Sequence, residues 1–430
     1  MATLKAVRGT RDLLPPETAL WNYVEATARA VFARYGFGEI RTPIFEDTTL
    51  FARGVGEETD IVSKEMYTWE DRARADSDSA QSLTLRPENT AGVVRAYIEH
   101  KLADTGMLQK LFYIGPQFRR ELAPAWTLSP VLADRRRGPR TSVVRRGQPL
   151  RDAEVLEMLS TFLNELGVKG WKLEVNSVGS STDRPRYIAA LREALAPVKD
   201  QMSADNQRRA ETNPLRVLDS KDAGDQEIIN SLPKIADFLD EASKEHFAQV
   251  LAALDACGVA YTVNPRLVRG LDYYTRTTFE FTVPDGSGLG TQNALLGGGR
   301  YDGLSEMLGG PKAPGIGFAI GEDRLILTLQ AQESAAVALK LDAFIAPMGI
   351  AQNAAALALA QELRRAGLAV EIGDGSFRLK KSFEAADKLA RRMVIVGEDE
   401  VSSGILTVKD FSAGEQTKVP RAQLAGFLRA

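Results

Sequence analysis

The segment LVRGLDYYTRTTFEF (267–281) constrains the fold of this chain more than any other feature. Arg269, an aspartate and the pair Tyr273 and Tyr274 stand in front of a run of β-branched and aromatic residues. That pattern is typical of a strand entered from a loop. GGGRYDGL (297–304) follows as a glycine-rich loop, where the backbone can approach a ligand closely. We therefore expect a site built from arginine, tyrosine and backbone groups.

The size and composition narrow the class of protein. A chain of 430 residues is too long for one ordinary core and indicates two or three domains. With 44% hydrophobic and 26% charged residues the composition is that of a soluble globular protein. No run approaches the roughly 20 apolar residues that span a bilayer. The net charge of −3 does not indicate a nucleic-acid partner, so any RNA surface must be a local basic patch.

Cysteine and histidine are scarce. The single cysteine, Cys257, excludes an internal disulfide framework and a cysteine-based zinc site, fits a reducing cytoplasm, and is expected to be a small core residue. The two histidines, His100 and His246, stand in polar helical contexts, and we expect both to be solvated. The chemistry must then rest on arginine, glutamate, tyrosine and backbone groups, which disfavours most hydrolases.

The N-terminal part alternates helix and strand signals. Apolar residues at helical spacing follow a Pro-Pro pair and predict a helix that ends at Gly36, and EIRTPIFED then predicts a strand broken at Pro43. SLTLRPENTAGVVRAYIEH predicts a loop feeding a helix, with Asn89 or Thr90 placed as its cap. LQKLFYIGPQFRRE (108–121) predicts a strand that ends in charge, and WKLEVNSVGS predicts another.

The remainder divides into an insertion, a strand–helix unit and a separate domain. Residues from about 181 to 256 predict a helical insertion, and GIGFAIGEDRLILTL predicts a strand that enters a helix. Its glycines, spaced G-x-G-x-x-x-G, do not match a dinucleotide fingerprint. Residues 331–340 have the composition of a linker. Beyond them, alternating strand and helix patterns predict a small α/β domain over 341–430 with a largely parallel sheet.

In this order the motifs resemble those of histidyl-tRNA synthetases, which are class II aminoacyl-tRNA synthetases, from end to end. LVRGLDYY and GGGRYDGL are similar to the histidine-specific signature, and the first helix with its proline-broken strand resembles motif 1, the dimer interface. The resemblance implies an α+β catalytic domain over 1–330 with a mainly antiparallel sheet and a helical insertion, then a C-terminal α/β anticodon-binding domain over 341–430. It also implies a cytoplasmic homodimer that activates L-histidine with ATP and transfers it to tRNA(His), without a membrane.

Activation of an amino acid displaces pyrophosphate when its carboxylate attacks the α-phosphorus of ATP, and the transition state gathers negative charge. Arginine suits such a site because its planar fork binds two phosphate oxygens. By resemblance, Arg119 contacts the α-phosphate and the amino-acid carboxylate, Arg269 stabilises the reacting α-phosphate, and Arg324 lies at the γ-phosphate. Glu121 accepts from the adenine amino group. Mg²⁺ enters with ATP, and no tightly bound cofactor is expected. Each arginine alone would ordinarily be a surface ion pair.

The resemblance also implies a histidine pocket. Glu88 takes the α-ammonium group, while Tyr273 and Tyr274 cover the imidazole and hydrogen-bond to it; outside this motif they would be ordinary buried strand tyrosines. The family usually has glycine at the position of Asn89, and asparagine suits that position because it accepts unusual backbone angles. The histidine-binding residues implied in this way are Glu88, Asn89, Thr90, Arg119, Arg269, Tyr273, Tyr274 and Tyr301.

One stretch departs from the family pattern. After Glu121 a loop similar to RPQxGRxRQFxQxGxE is expected, but residues 122–152 read LAPAWTLSPVLADRRRGPRTSVVRRGQPLRD. Residues 126–131 can be encoded TGG ACG CTA TCG CCA GTT C, which one nucleotide later reads Gly-Arg-Tyr-Arg-Gln-Phe. Residues 133–140 can be encoded GCA GAT CGG CGC CGA GGT CCT CGG, which in the same shifted frame reads Gln-Ile-Gly-Ala-Glu-Val-Leu-Gly. Because one shift restores both halves of the motif, we hypothesise a frameshift that is compensated before the end of this stretch.

The alternative is a divergent loop that binds RNA phosphates, because seven arginines fall between Arg135 and Arg151. In the chain as it stands, Ala133 occupies the position of the family's histidine-binding glutamine, and Arg137 occupies that of its second acidic residue. Each missing partner of a buried imidazole costs about 1–3 kcal/mol. We therefore expect weak or absent histidine-dependent ATP–pyrophosphate exchange from this chain.

Two other classes of function stay open. One is a regulatory, non-tRNA subunit of histidine biosynthesis, although such paralogues typically lack the anticodon domain; the other is an inactive RNA-binding relative. Pyrophosphate exchange separates the enzyme from both, and tRNA binding separates the two from each other. Anticodon contacts are not assignable to residues, because charged helix faces are usually solvated. Four cations lie in the right domain for such contacts: Lys380, Lys381, Arg391 and Arg392.

Overall fold

The structure, a computed structural model, describes residues 4–7, 9–55, 61–71, 81–120, 140–144, 149–268, 273–284, 286–289, 293–333, 340–376 and 379–429. Contacts divide the chain into two compact units, Met1–Val337 and Ala338–Ala430. Of the segment expected to be a linker, residues 334–339 lie outside the described residues. No helix in the described part has both the length and the apolar character needed to cross a bilayer.

The first unit combines two sheets with the helices that cover them. Its described helices are α1 (Glu17–Arg34), α2 (Thr48–Val55), α3 (Thr90–Glu99), α4 (Pro149–Glu165), α5 (Asp183–Leu195), α6 (Ala204–Thr212), α7 (Gln226–Ser231), α8 (Glu241–Ala256), α9 (Leu304–Met307) and α10 (Glu322–Ala331). Its described strands are β1 (Gly38–Glu39), β2 (Phe45–Asp47), β3 (Tyr67–Asp71), β4 (Gln81–Leu85), β5 (Gln109–Tyr113), β6 (Arg140–Val144), β7 (Lys172–Ser177), β8 (Thr262–Val263), β9 (Thr275–Thr282), β10 (Ala294–Arg300) and β11 (Gly315–Ile320).

The large sheet of this unit has eight strands in the order β1-β5-β6-β11-β10-β9-β7-β8. Neighbouring strands run antiparallel through its middle. The two outermost pairs, β1–β5 and β7–β8, are parallel. The prediction of a mainly antiparallel sheet is therefore confirmed. A smaller sheet, β2-β4-β3, is antiparallel throughout.

Helix α1 lies where the apolar spacing predicted it, and its buried stripe packs on the large sheet. The ring of Phe32 meets those of Phe112 on β5 and Phe318 on β11 at centroid distances of 5.3 and 5.9 Å. Such pairs add about 0.5–1.5 kcal/mol beyond burial, so they hold the helix over the centre of the sheet. The buried residues of the stripe are Leu20, Trp21, Val24, Ala28, Val31 and Phe32.

Two strands have bounds that differ from the prediction. SLTL, predicted as a loop, belongs to β4, because β2 and β3 pair with it on both sides. The strand predicted over 108–121 ends at Tyr113, and Gly115 and Pro116 follow it. Proline has no backbone N–H to donate to the ladder, so the chain leaves the sheet at this point.

The helical insertion has its own core, built from α5 to α7 and the turns between them. Helix α8, in contrast, packs against α4, and its Val250 and Leu254 are part of the core beneath the large sheet. Cys257, which was expected in a core, is exposed because it follows the last turn of α8. The buried residues of the insertion's core include Tyr187, Leu191, Leu195, Leu215, Val217, Ile229, Leu232 and Ile235.

Asp183 joins the two ends of the insertion. Its Oδ2 accepts from the backbone N–H of Ser180 at 2.9 Å and from the Ser243 hydroxyl at 2.8 Å. Its Oδ1 accepts from the backbone N–H of Asp240 at 3.1 Å and pairs with Arg186 at 2.8 Å. Burial acts to raise the pKa of Asp183, but the hydrogen bonds from Ser180, Ser243 and Arg186 lower that pKa to about 2. The carboxylate therefore stays charged at neutral pH and fastens the start of α5 to the start of α8.

The second unit is a five-stranded sheet in the order β13-β12-β14-β15-β16 with a hydrophobic core on each face. Strands β13, β12 and β14 are parallel, as predicted, whereas β15 and β16 form an antiparallel hairpin. The prediction of a largely parallel sheet is therefore wrong for that half. The elements are β12 (Leu341–Pro347), α11 (Asn353–Arg365), β13 (Val370–Ile372), α12 (Leu379–Leu389), β14 (Ala390–Val396), α13 (Glu398–Ser403), β15 (Ile405–Asp410), β16 (Gln416–Pro420) and α14 (Arg421–Arg429).

Arg392 has a structural part in this second unit. Its Nε pairs with Asp410 at 2.8 Å, and its Nη1 donates to the carbonyl oxygens of Phe427 and Leu428 at 3.0 Å each. These bonds fasten the end of α14 to β14. Arg392 therefore stabilises the fold of this unit, whereas Lys380, Lys381 and Arg391 are exposed.

Candidate active site

The three tyrosines predicted from the sequence lie together at one end of β9 and β10. Tyr273 and Tyr274 immediately precede β9, and Tyr301 follows β10. The ring centroids of Tyr273 and Tyr274 are 4.9 Å apart, and those of Tyr273 and Tyr301 are 6.0 Å apart at 79°. All three rings are buried, and Val94 of α3 and Leu304 of α9 pack against them. The structure therefore places the tyrosines beside helix α3.

The glycine run that was expected as a loop forms strand β10 in the middle of the large sheet. A Cβ atom on Gly298 would lie 2.1 Å from the carbonyl oxygen of Gly317 and 2.9 Å from the ring of Phe279. On the opposite face, a Cβ atom on Gly299 would lie 2.9 Å from the ring of Tyr274. Gly298 must therefore be glycine because the neighbouring strand is too close for a side chain. Gly299 must be glycine because a side chain would collide with the ring of Tyr274.

Glu88 lies at the start of α3, and its side chain is fully buried. Its Oε2 accepts from the backbone N–H of Thr90 at 2.8 Å, and its Oε1 accepts from that of Ala91 at 2.9 Å. The helix cap predicted for Asn89 or Thr90 is therefore supplied by Glu88, and neither of those side chains caps the helix. A carboxylate is the kind of group that can bind an ammonium group.

Asn89 is also fully buried, and its Oδ1 accepts from the hydroxyl of Thr42 at 2.8 Å. Its φ of −130° is negative, so its backbone lies outside the left-handed region that glycine and asparagine adopt most readily. A left-handed backbone is therefore not the reason that asparagine fits at this position. The space for its side chain comes from Gly92, where a Cβ atom would lie 2.5 Å from the Asn89 Oδ1.

Arg119 lies on irregular backbone next to Glu88, six positions beyond the end of β5 and not at a strand end as expected. Its Nε donates to the carbonyl oxygen of Pro87 at 2.8 Å. The segment is held by Arg86, whose Nε donates to the carbonyl oxygen of Pro116 at 3.0 Å and whose own carbonyl accepts from the N–H of Phe118. The guanidinium of Arg119 is largely buried, so a phosphate placed there would meet a charge with little competing water.

Arg324 lies in the first turn of α10, and its Nε donates to the carbonyl oxygen of Ala294 at 2.6 Å. Ala294 begins β10, whereas Tyr301 follows its end, so Arg324 and the tyrosine cluster are about 20 Å apart along the strand. A ligand pair that reaches both must extend along β10. An amino acid joined to ATP has that elongated shape, with the amino acid at one end and the outer phosphates at the other.

Two predicted site residues, Arg269 and Glu121, lie outside the described residues, as do residues 122–139 and 145–148 of the divergent stretch. The part of the chain that is described contains no group of three histidine, cysteine, aspartate or glutamate side chains arranged to hold a metal ion. The predicted site residues that the structure describes are Glu88, Asn89, Thr90, Arg119, Tyr273, Tyr274, Tyr301 and, at the far end of β10, Arg324.

Sequence reasoning missed a buried polar network behind the tyrosines. His246, expected to be solvated, is buried, and its Nε2 lies 2.8 Å from the Asp152 Oδ2. Arg300 is buried as well, with its Nη2 3.0 Å from the Asp152 Oδ1. Burial acts to lower the pKa of Arg300, but the charges of Asp152 and Asp302 raise it. A buried arginine directly after three glycines was the available signal, although its partner is 148 positions away.

Comparison with known proteins agrees with this architecture. The family described as Histidyl-tRNA synthetase matches residues 9–325, and the family described as Anticodon binding domain matches residues 342–430. A histidine–tRNA ligase from Koribacter versatilis (strain Ellin345) is 63% identical over 99% of this chain and 96% of its own length. One from Solibacter usitatus (strain Ellin6076) is 50% identical over 99% of both chains.

A solved structure supports the same assignment. The crystal structure of apo histidyl-tRNA synthetase from S. aureus superposes over 100% of both chains with a TM-score of 0.74 and 35% identity. The similarity includes both units, so the fold is a class II catalytic domain with a mainly antiparallel sheet and a helical insertion, followed by an α/β anticodon-binding domain. This chain belongs to the histidyl-tRNA synthetase family.

Proposed function

We propose that this chain is a histidine–tRNA ligase that forms histidyl-adenylate from L-histidine and ATP and transfers the histidyl group to the 3′ end of tRNA(His). The observation that carries the proposal is the assembly of Glu88, Arg119 and the three tyrosines around α3 in a chain of this family. ATP enters as its Mg²⁺ complex, as a substrate and not as a resident cofactor. The cytoplasm is the compartment where these substrates meet.

The proposed roles follow from charge and position. Glu88 binds the α-ammonium group, and Asn89 and Thr90 complete that side of the pocket at the start of α3. Tyr273, Tyr274 and Tyr301 enclose the imidazole.

The other proposed roles concern the nucleotide. Arg119 holds the histidine carboxylate and the α-phosphate together, which brings the attacking oxygen to phosphorus. Arg269 stabilises the charge that develops on the α-phosphate, Arg324 binds the γ-phosphate, and Glu121 accepts from adenine. Pyrophosphate leaves as the adenylate forms, and AMP leaves when the terminal ribose hydroxyl of tRNA attacks the histidyl carbonyl carbon.

Histidine-dependent exchange of labelled pyrophosphate into ATP tests this proposal. The chain and a variant with the family-like loop are both assayed with each of the twenty amino acids, and binding of tRNA(His) is measured in parallel. Exchange that depends on histidine alone supports the ligase. If neither protein exchanges while tRNA(His) still binds, the chain is an RNA-binding relative; if neither activity is found, a regulatory subunit becomes the better proposal.

We propose the domain bounds 1–330 for the catalytic domain, with the insertion at about 181–256, and 341–430 for the anticodon-binding domain. Removal of residues 338–430 should lower the rate of tRNA(His) charging at least 100-fold and change histidine-dependent pyrophosphate exchange less than threefold. The reason is that the second unit has its own cores and supplies none of the proposed adenylate-forming groups. Parallel assays of the two steps check this. Equal losses in both would count against a separate anticodon module.

We propose a homodimer from a partly exposed aromatic surface of the small sheet. Phe45 on β2 and Tyr67 on β3 both pair with Leu85 on β4 and so share one face of the sheet with Trp69. The rings of Phe45 and Trp69 are 5.9 Å apart, yet these side chains are 51% and 40% exposed. An aromatic surface of this kind needs a covering partner, and a second copy of the chain is the partner that motif 1 predicts.

Light scattering tests the dimer. We expect the mass of a dimer for the unsubstituted chain and that of a monomer for Trp69→Glu, because burying a carboxylate in the interface would cost several kcal/mol. Met107→Glu, at another exposed apolar position, is the matched control and should stay dimeric. A monomeric mass for the unsubstituted chain would contradict the proposal.

A further inference from the structure

A buried polar network links four elements directly behind the tyrosine cluster. Asp152, near the start of α4, is fully buried, and its Oδ2 accepts from the hydroxyl of Thr277 on β9 at 2.6 Å. The same oxygen lies 2.8 Å from His246 Nε2 on α8 and 3.3 Å from Arg300 Nε at the end of β10. Its Oδ1 lies 3.0 Å from Arg300 Nη2. A single carboxylate thus joins two helices to the two strands that carry the tyrosines.

The network extends to both sides of Tyr301. Arg300, directly before it, also binds the Asp302 Oδ1 through Nη1 at 2.8 Å. Asp302, directly after it, donates its backbone N–H to the hydroxyl of Thr275 at 3.2 Å, and Thr275 follows Tyr274. Both neighbours of Tyr301 therefore belong to the network. One of them, Asp302, also binds Thr275 at the start of β9.

The backbone beside this network is strained. β9 pairs Thr278 with Gly299 but Thr275 with Arg300, so two residues of β9 have no partner on β10 at this point. One of them, Arg276, has a φ of 52°, in the left-handed region that arginine rarely adopts. Bulges of this type change the direction in which neighbouring side chains point. Their strained backbone persists only where surrounding contacts stabilise it. The other unpaired residue is Thr277, which the hydroxyl bond to Asp152 holds.

We propose that Asp152 is a positioning residue for histidine recognition. It holds the bulge through Thr277 and the end of β10 through Arg300, and it thereby sets the relative placement of Tyr274 and Tyr301. It contacts no reacting atom, so its effect reaches the substrate through the tyrosines. The inference rests on the proposed function, because the tyrosines are taken as the walls of the imidazole pocket. His246 contacts the same carboxylate, so α8, the last helix of the insertion, is also connected to the pocket.

The test compares two buried aspartates of the first unit in the full-length chain. Asp152→Asn keeps the size of the side chain but exchanges an acceptor oxygen for a donor group. We expect its histidine Kd, measured by titration calorimetry, to rise at least tenfold while the ATP Kd changes less than twofold. Amide hydrogen exchange in a peptide spanning 294–304 should become faster, since local opening is easier there. Asp183→Asn, the matched control, should lower Tm but leave the histidine Kd within twofold.

The outcomes separate this inference from the proposed function. An Asp152→Asn protein that is folded and has an unchanged histidine Kd would overturn the positioning role, as would equal increases of the histidine and ATP Kd. If Asp152→Asn does not fold, Thr277→Val removes one bond to Asp152 and should raise the histidine Kd about threefold; no change would again overturn the inference. If neither the unsubstituted chain nor the variant with the family-like loop binds histidine, the proposed function fails, and unchanged amide hydrogen exchange at 294–304 in Asp152→Asn then rejects the positioning role independently.

Discussion

Restoring the family-like loop should raise the rate of histidine-dependent ATP–pyrophosphate exchange about 100-fold or more. The change replaces residues 126–131 with Gly-Arg-Tyr-Arg-Gln-Phe and residues 133–140 with Gln-Ile-Gly-Ala-Glu-Val-Leu-Gly. It includes Ala133→Gln and Arg137→Glu, which supply two polar partners to the imidazole. At about 1–3 kcal/mol for each partner, the combined gain of about 2–6 kcal/mol corresponds to a factor of roughly 30 to 25,000. The exchange rate at saturating ATP, with histidine varied, measures it.

A restored loop that carries neither Ala133→Gln nor Arg137→Glu is the matched control, and it should recover little of the gain. If the chain as it stands exchanges at the rate of an ordinary synthetase, the pocket argument is wrong. Peptide mass spectrometry across residues 120–152 of the protein from its natural source settles a separate question. Family-like peptides would place the shift in the reported sequence, whereas arginine-rich peptides would place it in the gene or support the divergent loop.

In the restored background, Arg119→Lys should lower pyrophosphate exchange about 100- to 1,000-fold, the usual effect of removing one fixed donor from a developing negative charge. Lysine keeps the charge but loses the planar fork that can bind two oxygens at once. The structure adds a second reason: the Arg119 Nε donates to the carbonyl oxygen of Pro87, and this bond orients the guanidinium. A lysine ammonium group cannot make that bond and present two donors in the same plane. The measurement is kcat for exchange.

Arg34→Lys is the control for Arg119→Lys, because Arg34 is an exposed arginine on α1 that pairs with Glu165. It should change the exchange rate less than twofold. Comparable losses from both substitutions, or full activity of Arg119→Lys, would remove Arg119 from the proposed catalytic groups.

The elements that the sequence predicted well are those whose stability depends on local pattern. α1 was readable because a buried stripe at helical spacing runs from Leu20 to Phe32 within its eighteen residues. β11 and α10 were readable because the pattern changes from strand to helix at Gly321. The parallel half of the second sheet was readable from its alternation of strands and helices.

The features that were missed depend on partners distant in sequence. β4 is a strand because β2 and β3 flank it, and its sequence reads equally well as a loop. His246 has the sequence context of a solvated helix residue, yet Asp152 lies 94 positions away and accounts for its burial. Glu88 was predicted as a ligand-binding group, but its bonds to the backbone of α3 depend on a turn geometry that composition does not specify.

Gly298 also limits how this family can vary. A methyl group there would overlap the backbone of the neighbouring strand, at 2.1 Å from the Gly317 oxygen, so no rotamer change could relieve it. The position has no side chain to contact a substrate, but it should tolerate fewer replacements than the charged residues around the pocket. In a saturation library its profile would resemble that of a catalytic residue. Intolerance to mutation at this position would then report the closeness of two strands and not a chemical role.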